Sequence, residues 1–182
     1  MLTPTDRLLA RSMALWLCLS LWAGIPLNAA AAPPQSPAEI KEPNVAGSWY
    51  PGSAAELKAQ IAAYLDRASP APVAGKITAL IAPHAGYMFS GQVAAHAYKT
   101  VSSRPFTTVV VIAPSHHARF QGVSVYDRGG FRTPLGVMPL DHDLVARLKG
   151  SEPRVQYVPE AFIKEHALEI QRPFLQTCLP EA

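Results

Sequence analysis

The sequence predicts an α/β fold, and two stretches carry that prediction. Residues 77–82 (ITALIA) and 107–113 (TTVVVIA) are short apolar runs rich in β-branched residues, the pattern of strands buried on both faces. Each run is stopped by proline and then delivers histidine: Pro83-His84 after the first, Pro114-Ser115-His116-His117 after the second. Histidines placed there stand at the carboxyl edge of a sheet, where open α/β sheets bind their ligands. Packing alone gives no reason for the repetition.

Composition narrows the class. The chain has 182 residues, enough for one domain or part of one, with 18 prolines and 11 glycines marking a loop-rich protein. A net charge of +3 is small and scattered, which argues against a nucleic-acid partner.

Residues 1–31 read as a signal peptide. Arg7 and Arg11 form a basic start, residues 13–27 an apolar core, and Ala29-Ala30-Ala31 a small-residue exit. The alternative is an uncleaved anchor, but the apolar run falls short of the roughly 20 residues needed to span a bilayer. A lipid attachment at Cys18 is disfavoured by Leu17. The expectation is an exported protein, periplasmic or secreted, with no stable membrane insertion once the signal is removed. Cleavage takes Cys18 away and leaves Cys178 without an intrachain partner, so the core must rest on packing. Residues 32–44 (APPQSPAEIKEPN) read as a proline-rich linker, and 45–182 as the folded domain.

The remaining elements follow in order. Ala46-Gly47-Ser48-Trp49-Tyr50-Pro51 is a loop whose adjacent aromatics either cover the core edge or wall a pocket. Ser53 and Glu56 form a capping box, and Leu57, Ile61 and Leu65 make the apolar stripe of a helix ending by Ala68. Residues 90–101 predict a helix with Val93, Ala97 and Val101 on one face and His96 off it. Residues 122–126 alternate like a half-buried strand, 127–130 form a turn, and 131–140 complete a hairpin. Asp141 caps a helix with Leu144, Val145 and Leu148 inward and Gly150 as its stop. Residues 154–158 are a further strand. Residues 164–175 (KEHALEIQRPFL) predict a helix with Glu165 and Glu169 on one face, kinked or restarted at Pro173.

No dinucleotide, P-loop, nucleophile-elbow or C-x-x-C motif is present. What remains is His84, His116, His117, Glu165 and His166 at the ends of successive elements. Two imidazoles and a carboxylate are the ligand set of non-haem iron sites, which keep positions open for substrate. The Glu165-His166 pair can equally be a solvated helix face, a pocket acid and base, or an outer partner that orients a ligating imidazole.

Four motifs carry a resemblance. Residues 46–51 (AGSWYP), 82–87 (APHAGY), 114–117 (PSHH) and 165–169 (EHALE) resemble, in order, the signature motifs of the Memo family, also called AmmeMemoRadiSam system protein B in prokaryotes. The resemblance covers roughly residues 45–179. It implies a three-layer α/β/α sandwich related to class III extradiol dioxygenases, and a metal site, iron or copper, that includes His84 and His116. His117, Glu165 and His166 are the candidate catalytic groups beside it, with Trp49, Tyr50 and Tyr87 as pocket residues. Family members are usually far longer, and their metal-site cysteine lies in a C-terminal half; Cys178 does not match it. The chain is therefore expected to represent an N-terminal half. Its implied function is a dioxygenase-like oxidoreductase; the alternatives are a non-catalytic module for a small molecule or peptide, and an inactive fragment.

Overall fold

The computed structural model describes residues 39–102 and 104–182, so the expected signal peptide and most of the expected linker lie outside the described residues. The elements run β1 (Ile40–Lys41), α1 (Ala54–Arg67), α2 (Tyr87–Lys99), β2 (Val123–Ser124), β3 (Gly130–Thr133), β4 (Gly136–Pro139), α3 (His142–Ser151), β5 (Val155–Gln156), α4 (Glu160–Ile163) and α5 (Ala167–Cys178). The protein is α/β, with helices gathered on one main core and small sheets beside it.

Helix α1 forms as its sequence dictates. The Ser53 side chain accepts the Glu56 N–H, and the Ala68 N–H closes on the carbonyls of Tyr64 and Leu65. Leu57 and Ile61 are fully buried. Helix α2 begins a turn earlier than expected, and its buried face is Tyr87, Ser90, Gly91, Ala94, Ala95 and Tyr98. Val93, expected inside, is 62% exposed. The reason is close approach: a Cβ at Gly91 would stand 2.5 Å from the Tyr64 ring of α1, so the small residues must face that helix and the branched one is turned out.

The main core joins Leu57 and Ile61 to Tyr87, Tyr98, Ile170, Phe174 and Leu175. Phe174 of α5 sits 5.1 Å from both the Tyr87 and Tyr98 rings. Helix α5 continues through Pro173 without restarting, and it begins only at Ala167. Lys164, Glu165 and His166 therefore form the link between α4 and α5 rather than a first helical turn. The expected shared face of Glu165 and Glu169 does not exist.

The strands differ more. Strand β1 falls inside the expected linker and pairs in parallel with β3, so the fold begins before Val45. The hairpin is β3–β4, turning at Pro134-Leu135, while β2 pairs in parallel with β5 instead of with the segment that follows it. The two runs that announced the fold take part in neither sheet. Both line one cavity of about 410 Å³, together with Tyr98, Gln171 and Leu175. Ile81 and Ile112 are 95% and 90% exposed. Their composition encodes burial on two faces, yet the described residues supply no strand to pair with them.

Candidate metal centre

The first imidazole is carried by the turn between residues 77–82 and α2. That turn is held from three sides: Gln171 donates to the Pro83 carbonyl at 3.0 Å, the Ser90 hydroxyl to Ala85 at 2.7 Å, and the Tyr87 N–H to the Trp49 carbonyl at 2.8 Å. His84 projects from it.

The second is His116, and its partner is Glu165. One carboxylate oxygen accepts the His116 backbone N–H at 2.6 Å, and the other lies 2.9 Å from His116 Nδ1. The same carboxylate accepts the N–H groups of His166 and Ala167, each at 2.8 Å. Burial alone would raise the Glu165 pKa, but these donors outweigh it and hold the carboxyl at about 2. An ionised carboxylate can only accept, so Nδ1 of His116 is its donor, and a neutral ring held this way offers the Nε2 lone pair to a metal.

The third is His166, stacked on His116 with ring centroids 4.5 Å apart and 4.3 Å from the Trp49 ring. Burial lowers its pKa and the neighbouring imidazoles add to that, against the opposing pull of Glu165. The neutral form, the one that ligates metals, is favoured. One ligating nitrogen from each of His84, His116 and His166 lies within 4.8 Å of the others. Nitrogens on one ion with bonds near 2.0–2.1 Å stand about 3–4 Å apart, so small side-chain rotations close the set. Three imidazoles, one backed by a carboxylate, suit zinc, copper, iron or nickel.

Of the residues singled out from the sequence, His84, His116, Glu165 and His166 come together. His117 stands at the rim, with ring centroids 6.4 Å from His116 and 6.3 Å from His166, outside the set of three. Trp49 lines a cleft of about 690 Å³ with His84, Met88, Phe89 and His166. Tyr50 and Tyr87, expected as pocket walls, are instead 3% and 1% exposed in the core. Each spends its hydroxyl there, Tyr50 on Glu169 at 2.7 Å and Tyr87 on the Ile170 carbonyl at 3.0 Å. Aromatics of that size next to a motif are drawn to the core whenever their hydroxyls find acceptors. Two further groups were not legible: Asn44, within the expected linker, and the inward aim of Glu169.

The profile of a family described as Memo-like protein matches residues 41–182, a span holding every residue of this cluster. The chain belongs to the Memo-like family. It is 37% identical over 144 residues to a MEMO1 family protein of Methanothermobacter thermautotrophicus, covering 75% of this chain and 52% of that relative. Against a MEMO1 family protein of Methanocaldococcus jannaschii it is 40% identical over 148 residues, covering 76% and 51%. A memo-1 homolog of Caenorhabditis elegans is 35% identical over 130 residues, covering 71% and 37%. The chain thus spans about half the length of the first two Memo-like relatives.

Proposed function

We propose that this Memo-like chain carries a transition-metal site, iron or copper, held by His84, His116 and His166, and that it serves a dioxygenase-like oxidoreductase. The observation that carries the reading is the convergence of three imidazoles from three separate segments, with Glu165 fixing the tautomer of one. Sequence reasoning put the third ligand beyond this chain; His166 supplies a nitrogen within it. A bound ion of either metal would supply open coordination positions and redox chemistry to a small molecule in the adjoining cleft. Trp49, Met88 and Phe89 give that cleft an apolar wall, the feature that favours the second reading, a non-catalytic module for a small-molecule or peptide ligand.

Anaerobic reconstitution with Fe(II) and, separately, with Cu(I) or Cu(II) tests the proposal. Retention of one ion per chain after desalting supports it; retention of none, with a ligand still bound in the cleft, favours the binding module.

The finer architecture belongs to the same proposal. We propose that residues 77–82 and 107–113, which pair with no strand here, become central strands of a three-layer sandwich when joined by strands like those of the half of the relatives that this chain does not span. Their exposed apolar faces and the cavity between them support it. Export with cleavage after Ala31 is also proposed, on the strength of the N-terminal pattern. An intact mass of the exported protein that still includes Met1 would rule that cleavage out.

A further inference from the structure

We infer that Asn44 and Glu169 are positioning residues for the imidazole cluster, tying the strap formed by residues 44–50 to the α4–α5 link so that Trp49 bears on His166. The inference rests on the reading of that cluster as a metal site.

Glu169 is fully buried on α5, where a carboxylate is costly unless its oxygens are satisfied. Among the described residues, every donor it receives comes from the strap. The Asn44 N–H reaches one oxygen at 2.6 Å; the Val45 N–H and the Tyr50 hydroxyl reach the other at 2.9 and 2.7 Å. These three bonds bring both ends of the strap to one point on the helix. The Asn44 side chain then spans to the end of α4 and to the link beyond it, donating to the carbonyls of Phe162 at 3.1 Å and of Glu165 at 2.9 Å. Those carbonyls belong to the segment that presents Glu165 to His116 and His166 to the other two imidazoles.

The middle of the strap completes the device. The Trp49 carbonyl accepts the Tyr87 N–H at the start of α2, three residues beyond His84. Its indole packs at 4.3 Å on the His166 ring. Neither Asn44 nor Glu169 bonds to any of the three imidazoles, so their influence passes through the strap and the link. Ordering an imidazole by packing before a metal arrives reduces the entropy lost on binding.

The test uses the full chain with Trp16→Phe and Trp22→Phe, which leaves Trp49 as the sole indole. Two readouts are taken: acrylamide quenching of Trp49 emission without metal, and Zn(II) affinity by competitive titration. Asn44→Ala and Glu169→Gln are expected to raise quenching and to weaken zinc binding by ~10-fold, the lower end of outer-partner effects. Ile61→Val, which loosens the same core from α1 without removing a bond of the strap, is expected to lower the melting temperature and change neither readout. Glu169 also lies near buried Arg172, so Asn44→Ala, which leaves that helix untouched, decides the matter if the glutamine variant fails to fold. Wild-type quenching and zinc affinity in the variants would overturn the inference, as would the same changes in Ile61→Val. If the parent chain binds neither zinc nor iron or copper, the metal reading fails, and quenching alone decides whether Asn44 and Glu169 set Trp49.

Discussion

His116 Nδ1 stands 2.9 Å from a Glu165 oxygen, and the other oxygen of that carboxylate accepts the His116 backbone N–H at 2.6 Å. The pair is doubly fixed, in position by the backbone bond and in tautomer by the ring bond. Replacing Glu165 with Gln keeps the shape but offers one acceptor oxygen to four donors. Glu165→Gln should weaken Zn(II) or Co(II) binding by ~10–100-fold without abolishing it, as expected of an outer partner. Competitive titration measures this, and an unchanged affinity would reduce Glu165 to a structural cap.

The same carboxylate predicts an acid-stability window. Its folded pKa, about 2, lies below the ordinary 4.5 of a glutamate, so the unfolded chain binds its proton first as pH falls. The stabilisation is complete above about pH 4.5 and is lost progressively as pH drops toward 2. Thermal melts of the metal-free protein should show the midpoint falling through that window. In Glu165→Gln the fall should be smaller, and an equal fall would assign the acid sensitivity to other groups.

Gly91 answers for the α1–α2 contact. A methyl group there meets the Tyr64 ring at 2.5 Å, and that ring is tied by its hydroxyl to the Tyr87 carbonyl. Gly91→Ala should destabilise the fold by about 1–3 kcal/mol despite the better helix propensity of alanine. Chemical denaturation is the check; a gain in stability would mean that Tyr64 yields freely.

Ile81 and Ile112 test the proposed sandwich. Both are almost wholly exposed in this chain, so Ile81→Ser and Ile112→Ser should change its stability by no more than ~0.5 kcal/mol. The matching substitutions in the full-length Methanocaldococcus jannaschii relative should cost several times as much if further strands cover these residues. Equal, small effects in both proteins would count against the three-layer sandwich.

Much of the site was legible because each proline-stopped run ends in histidine, a pattern packing does not require. The capping of α1 by Ser53 and of α3 by Asp141 was legible for local reasons, since both rest on side chains bonding to a backbone N–H three residues away. What local pattern could not reveal was distance in space. The joining of His166 to His84 and His116 depends on where α5 begins, and the expected helix start at Lys164 concealed it. The α2 face was misread because branched apolar residues mark a core face only until a glycine-mediated crossing claims the opposite one. Strand partners were beyond reach for the same reason: composition says how deeply a run is buried, not which segment lies beside it.

The most direct test of the central claim is metal stoichiometry across three single variants, His84→Ala, His116→Ala and His166→Ala, each reconstituted and desalted beside the parent. One shared ion predicts about one equivalent in the parent and a loss of affinity in every variant that exceeds the loss in Glu165→Gln. Full retention in His166→Ala would remove it from the ligand set, and retention in all three would contradict a shared metal site altogether.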